Sequence, residues 1–178
     1  MRIPRVAAAL RLPLWQRGQA RMRERWGFDM NSPDALDRVR ALLGEQPGDA
    51  ERMLLHAAVL AMRGSNDDAE REVRRAVELQ PELARSHTTL ATLLVQRGER
   101  DEGLREARRA AELDAGDATV QYNLGLAEWA NGHRREANAA FQTAWTALYG
   151  DVHAGRRPPW WRRVFRRGTV GERHDEQQ

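Results

Sequence analysis

The chain has 178 residues and a mean hydropathy of −0.75, a length that is sufficient for one domain with a hydrophobic core. It contains no cysteine, which excludes disulfide bonds and thiolate metal ligands. No apolar run approaches the roughly 20 residues that a membrane-spanning helix needs. Arginine outnumbers the acids by seven to two in residues 1–31 and by seven to four in residues 150–178, whereas residues 32–149 hold 20 acids against 15 arginines. Two basic segments therefore flank an acidic body.

The N-terminal stretch MRIPRVAAALRLPLW forms a basic arm, residues 1–15. Arg11 and Pro13 interrupt its apolar patch, and no small-x-small cleavage site follows, so we do not expect a secretory signal. Further along, the stretch NSPDALDRVRALLGEQPGD predicts a helix. We expect Ser32 to be its N-cap, Pro33 to take the first helical position and Pro47 to lie beyond its end.

Residues 50–151 contain three segments that align without gaps at a spacing of 34 residues, beginning at Ala50, Ala84 and Ala118. Small residues recur at fixed positions of this repeat. Position 8 holds Ala57, Ala91 and Gly125, position 15 holds Gly64, Gly98 and Gly132, position 20 holds Ala69, Gly103 and Ala137, and position 27 holds Ala76, Ala110 and Ala144.

The small residues suggest pairs of closely crossing helices, because larger side chains at a close crossing would force the helix axes apart. The glycine at position 15 is expected just past the first helix of each pair, in a left-handed conformation. Ser65 is expected to cap the second helix of the first pair, and Pro81 to lie where that helix ends.

These residues resemble the tetratricopeptide repeat family, which has a 34-residue period and small residues at positions 8, 20 and 27. The resemblance covers residues 50–151, with departures at positions 4, 11 and 32; Glu128, for example, stands at position 11. Residues 16–49 fit a degenerate leading unit, although Arg23 is large for position 8, and a lone packing helix is the alternative. The resemblance implies an all-α, right-handed superhelical solenoid.

In this family the first helices line a concave face, and the resemblance therefore implies a partner-binding groove. Its candidate residues form a largely neutral, apolar trough suited to a peptide or helix. They are Leu54, Ala58, Met62, Thr88, Thr92, Gln96, Tyr122, Leu126 and Trp129. As alternatives, these side chains fill gaps between units, or the chain's own arm covers them.

The C-terminal arm, residues 152–178, contains the stretch RRPPWWRRVFRR and ends in a tail that we expect to be disordered. In a helix, its apolar and basic side chains occupy opposite arcs. The apolar arc holds Trp160, Trp161, Val164 and Phe165, and the basic arc holds Arg162, Arg163, Arg166 and Arg167. The pattern suits a cap on the last unit, an amphipathic helix on an anionic membrane, or contact with a protein or nucleic acid.

No catalytic motif, phosphate loop or metal-ligand spacing is present, and we expect no cofactor, metal or small-molecule substrate. His56 and His87 are interpreted as partly buried, hydrogen-bonded side chains. The sequence predicts a non-enzymatic adaptor or assembly factor that binds a protein segment in a bacterial cytoplasm, with peripheral contact to the inner membrane left open. The alternative is a nucleic-acid-associated factor acting through its arginine-rich arms.

Overall fold

A computed structural model describes residues 23–150, and every regular element in this range is a helix. Residues 23–26 are helical, and seven longer helices follow them. These are α1 (Ala35–Glu45), α2 (Ala50–Met62), α3 (Asn66–Leu79), α4 (Ala84–Arg97), α5 (Arg100–Leu113), α6 (Ala118–Ala130) and α7 (Arg134–Tyr149). The predicted all-α class is confirmed. The N-terminal arm and the C-terminal basic aromatic stretch, including Trp160, Trp161, Val164 and Phe165, lie outside the described residues.

The helices pack as successive antiparallel pairs, α2 with α3, α4 with α5 and α6 with α7. Helices α2, α4 and α6 begin at Ala50, Ala84 and Ala118, and thus repeat every 34 residues. Neighbouring pairs are joined through α3–α4 and α5–α6 contacts, and α4 also packs against α6. The first helices of the pairs therefore lie side by side along the stack.

Small residues lie where the paired helices cross, as the repeat pattern predicted. A Cβ atom added at Gly125 would lie 2.5 Å from the Phe141 ring, and one added at Gly103 would lie 2.8 Å from Val95 Cγ2. The alanines at the equivalent positions of the other pairs are buried. In the third pair the glycine lies on the first helix, and in the second pair it lies on the second helix. The crowding between the two helices of a pair is therefore relieved at a different point in each.

Glycines also end the first helices. Gly64, Gly98 and Gly132 have φ angles of 85°, 94° and 86°, which confirms the left-handed conformation expected at position 15. An L side chain is strained in this region, whereas glycine is not. Each glycine therefore allows the chain to turn within a few residues into the second helix.

One predicted helix start differs from the structure, and one predicted cap lacks its side-chain hydrogen bond. Helix α1 begins at Ala35, not at Pro33, because Ala35 N donates to Ser32 O (3.1 Å) and the Arg63 guanidinium donates to the carbonyls of Ser32 and Pro33. These bonds hold residues 32–34 in a turn before the helix. Ser65 stands at the N-cap of α3 as predicted, but its side chain makes no capping hydrogen bond.

The core continues from one pair to the next. One cluster joins α2, α3 and α4 around Met53, Leu60 and Leu94, and another joins α6 and α7 around Phe141. At the N-terminal end, Phe28 packs with residues of α1 and α2, and Trp26 covers them. None of the described helices is long and apolar enough to cross a membrane.

Candidate partner-binding groove

A groove of about 870 Å³ opens along α2, α4 and α6, the first helices of the three pairs. Its wall also includes the turn before α4 and the segment between α5 and α6. Glu24 and Arg25, close to the first described residue, complete one side. The lining residues are Glu24, Arg25, Glu51, Ala58, Ala61, Glu82, Leu83, Ala84, Arg85, Thr88, Thr89, Thr92, Leu93, Gln96, Leu113, Asp114, Asp117, Thr119, Val120 and Asn123.

Four of the candidate groove residues lie together in this lining, namely Ala58, Thr88, Thr92 and Gln96. The remaining candidates lie elsewhere. Leu54 is buried in the core between the first pairs, and Met62 is exposed at the end of α2.

The candidates on α6 face the helix pair to which they belong. Tyr122 is buried in the cluster of α6 and α7, with its ring centroid 5.9 Å from that of Phe141. Leu126 and Trp129 pack against the same cluster. The structure therefore brings together the candidates of the middle pair and Ala58 of the first pair, and it separates those of the third pair from the groove.

Several lining residues were missed from the sequence because they lie in the turns between pairs or one position away from the expected stripe. Glu82 and Leu83 precede α4, and Asp114 follows α5. Asn123 follows Tyr122 on α6, and Asn123 lines the groove whereas Tyr122 does not. A periodic pattern on the first helices alone cannot find turn residues.

Part of the groove floor is polar. Thr88 Oγ1 donates to Ala84 O (2.8 Å), and Thr92 Oγ1 lies 2.9 Å from Thr88 O and 3.1 Å from Asn123 Oδ1. The Asn123 amide donates to Thr119 O (2.8 Å). These bonds orient hydroxyl and amide groups between α4 and α6, within a lining whose exposed surface is otherwise mainly apolar.

The lining also carries an excess of acid, with five carboxylates against two arginines. Glu51 forms ion pairs with Arg25 and with Arg85, the latter at 3.6 Å. Asp117 caps α6 by accepting from Thr119 N (2.6 Å) and Val120 N (3.1 Å). These backbone donors hold the Asp117 side chain at the N-terminus of α6, so a carboxylate lies at this end of the groove.

A separate charge network lies outside the groove lining and joins consecutive pairs. The buried Glu70 accepts from Arg74 Nε (2.9 Å) and pairs with Arg97, while Arg74 also donates to Glu102 (3.0 Å). Burial acts to raise the pKa of Glu70, but hydrogen bonds from Arg74 and Arg97 outweigh it, and the pKa is lowered below its usual value. The network thus links α3, α4 and α5.

Histidines form further contacts between helices. His87 Nδ1 lies 2.6 Å from Glu106 Oε2, and its Nε2 lies 2.8 Å from Pro81 O, in agreement with the expected hydrogen-bonded side chain. His56 differs, because its ring nitrogens are buried without a hydrogen-bond partner and Nδ1 is 3.6 Å from Glu72. Within residues 23–150, no cluster of three or more His, Asp or Glu side chains has a metal-binding arrangement.

Glu128, the residue that departs from the family pattern at position 11, is buried with charged partners. Arg108 donates to both of its carboxylate oxygens, at 2.9 and 3.3 Å, and His133 Nδ1 lies 2.7 Å from Oε2. The contact joins α5 to α6 and to the start of α7. It replaces the apolar packing that Leu60 and Leu94 make at the same position of the preceding pairs.

No protein-family model matches the chain, and no curated protein matches it. Among solved structures, it is similar to two crystal structures of MamA. One is 20% identical with a TM-score of 0.54 and covers 70% of this chain and 71% of that one; the other is 20% identical with a TM-score of 0.53 and covers 70% and 67%. These similarities support a fold of the tetratricopeptide type, an all-helical solenoid.

Proposed function

We propose that the protein is a non-enzymatic interaction scaffold that holds a segment of a partner protein in the groove along α2, α4 and α6. The observation that carries the proposal is the groove itself, with residues from three parallel first helices and two connecting segments in one continuous wall. A surface that spans several repeat units matches an extended or helical peptide better than a compact small molecule.

The side chains of the lining suit a partner segment that carries both apolar and polar groups. Ala61, Leu93 and Val120 offer small apolar contacts, and Thr92 and Asn123 offer polar groups between them. The excess of carboxylates favours basic side chains on the bound segment, since complementary charge raises association rates and excludes acidic competitors. We therefore infer a partner segment that carries arginine or lysine among small apolar residues.

A scaffold role fits the contacts that the groove carboxylates make. Glu51 pairs with two arginines, and Asp117 accepts backbone N–H bonds, so both carboxylates are engaged in structural contacts. The described lining contains no histidine that could act as their acid–base partner. The proposal places the protein in a bacterial cytoplasm, where its arginine-rich terminal segments would provide any contact with the inner membrane.

Affinity capture from the native host, followed by mass spectrometry, tests the groove. Gln96→Trp combined with Thr119→Trp fills the groove at two exposed positions without changing its charge. We expect this variant to lose the captured partner while its circular dichroism stays helical. The matched control is Gln142→Trp with Thr146→Trp, at exposed positions of α7 outside the groove lining, and it should retain the partner. Equal capture by both variants would contradict the proposal.

A further inference from the structure

We propose that the chain's own N-terminal segment, residues 1–22, occupies the groove and acts as an internal ligand that a partner must displace. The inference rests on the proposed function of the same groove. Beyond that function, it assigns the groove a regulatory occupant. This occupant is the segment that precedes Glu24 and Arg25 of the groove wall in the chain.

The N-terminal segment and the groove lining carry opposite charges. Residues 1–22 contain five arginines and no acid, namely Arg2, Arg5, Arg11, Arg17 and Arg21. The groove lining has five carboxylates against two arginines. Opposite charges attract within a Debye length of about 8–10 Å, and several arginines spread along one segment can meet carboxylates spread along one groove.

The N-terminal segment is also continuous in the chain with the groove wall. Glu24 and Arg25 already belong to the groove wall, and Arg25 forms an ion pair with Glu51 on α2. The preceding residues are therefore attached at the edge of the groove. A segment of this length reaches up to roughly 70–80 Å when extended, so it can span the three first helices. A tether of this kind produces an effective concentration on the order of millimolar.

Glu51 illustrates how the groove accommodates arginine. It receives one guanidinium from Arg25 and a second from Arg85, and the planar guanidinium suits carboxylate recognition. Glu82, which is exposed and pairs with Arg109 (3.1 Å), and Asp114 place further carboxylates along the wall. Apolar residues of the segment, such as Leu12, can meet Ala58, Ala61 and Leu93.

The C-terminal segment is the weaker competitor. Residues 151–178 contain seven arginines but also four acids, so their charge is less one-sided. They follow α7, and no residue of α7 contributes to the described groove lining. The N-terminal segment is therefore the better occupant by charge and by position.

Double electron–electron resonance on the full-length chain tests the inference, because a chain without cysteine accepts two unique spin labels. Ala8→Cys places one label in the segment, and Thr119→Cys places the other on the groove wall of α6. We expect a narrow distance distribution for this pair. Changing all five arginines of the segment to glutamate should broaden it. Circular dichroism of this variant checks that the helices of residues 23–150 remain folded.

A groove-side variant provides the second arm. Glu51→Gln with Glu82→Gln should also broaden the distribution, whereas Glu78→Gln with Glu136→Gln, at exposed positions outside the groove lining, should leave it narrow. A broad distribution in the parent chain would overturn the inference. So would a narrow distribution that disappears on dilution with unlabelled protein, since the groove would then hold the segment of a second copy.

The two proposals can fail separately. If the distribution is broad but Gln96→Trp with Thr119→Trp abolishes partner capture, the internal ligand is wrong and the groove still binds a partner. If the distribution is narrow but that variant captures the partner normally, the segment occupies the groove and the partner binds elsewhere. If the segment occupies the groove and the groove also binds the partner, deleting residues 1–22 should increase the affinity for the partner severalfold, because the competing segment is gone.

Discussion

At the scale of single residues, the crossing of Gly125 and Phe141 shows how a small residue permits a large one. The ring of Phe141 is fully buried and occupies the space that a Cβ at position 125 would need. The repeat pattern identified position 125 as small. It did not identify Phe141 as its contact, because the relative rotation of two helices is set by packing that the sequence pattern does not specify.

Gly125→Ala should therefore lower the free energy of unfolding by about 1–3 kcal/mol through overpacking, although alanine is the better helix former. Chemical denaturation monitored by circular dichroism measures the change. Combining it with Phe141→Leu should cost less than the sum of the single changes, because the shorter side chain relieves the contact. Gly44→Ala is the matched control, since a Cβ there meets nothing within 4 Å, and it should not destabilise the protein. If Gly125→Ala and Gly44→Ala changed the free energy of unfolding equally, the close crossing of α6 and α7 at Gly125 would be contradicted.

The pH dependence of stability carries a signature of Glu70. Its pKa is lower in the folded protein than the usual value of 4.5, so its contribution is present above pH 4.5 and is lost as the pH falls through the folded pKa. Glu70→Gln should flatten the acid limb of the stability curve below pH 4.5 relative to the parent. Urea unfolding at pH 3 to 7 measures it. An unchanged slope in the variant would show that Glu70 does not titrate differently in the folded state.

At the scale of helices and turns, periodicity predicted more than local capping signals did. The 34-residue period placed the starts of α2, α4 and α6 at Ala50, Ala84 and Ala118. The cap signal at Ser32 and Pro33 placed the start of α1 too early, because Arg63, 30 residues further along the chain, holds their carbonyls. Likewise, Asp114 and Glu82 reach the groove only because neighbouring pairs stack, and a pattern within one repeat contains no information about stacking.

The Arg108–Glu128 contact between α5 and α6 tests how charge joins successive pairs. Arg108→Met leaves the buried Glu128 carboxylate without its bidentate partner and should destabilise the protein by about 1–3 kcal/mol. Adding Glu128→Leu, the residue type found at Leu60 and Leu94, should restore most of the loss, because an apolar pair can replace a buried ion pair. Thermal unfolding compares the two variants. If the double variant were less stable than Arg108→Met alone, residue 128 would not be equivalent to Leu60 and Leu94.

At the scale of the whole molecule, the C-terminal end of α7 bears on the role of the C-terminal arm. Trp145, Leu148 and Tyr149 are partly buried on the cluster of α6 and α7. The sequence favours Trp160, Trp161 and Val164 as a cap on this end. Deleting residues 156–178 should then reduce stability by several kcal/mol, since each large apolar side chain contributes roughly 1.5–3 kcal/mol when buried.

Thermal unfolding of the truncated chain decides between the interpretations of this arm. An unchanged melting temperature would exclude the cap. Flotation with anionic vesicles would then separate a membrane-surface helix from a segment that contacts protein, and membrane binding should weaken as salt screens the arginines.

We propose that the face formed by the first helices binds the partner. Amide hydrogen exchange of the full-length protein, with and without its captured partner, tests this claim most directly. We predict that added protection falls on α2, α4 and α6, especially on the stretches that contain Thr88, Thr92 and Asn123, while α3, α5 and α7 change little. Protection confined to α3, α5 and α7, or to residues 151–178, would contradict the account.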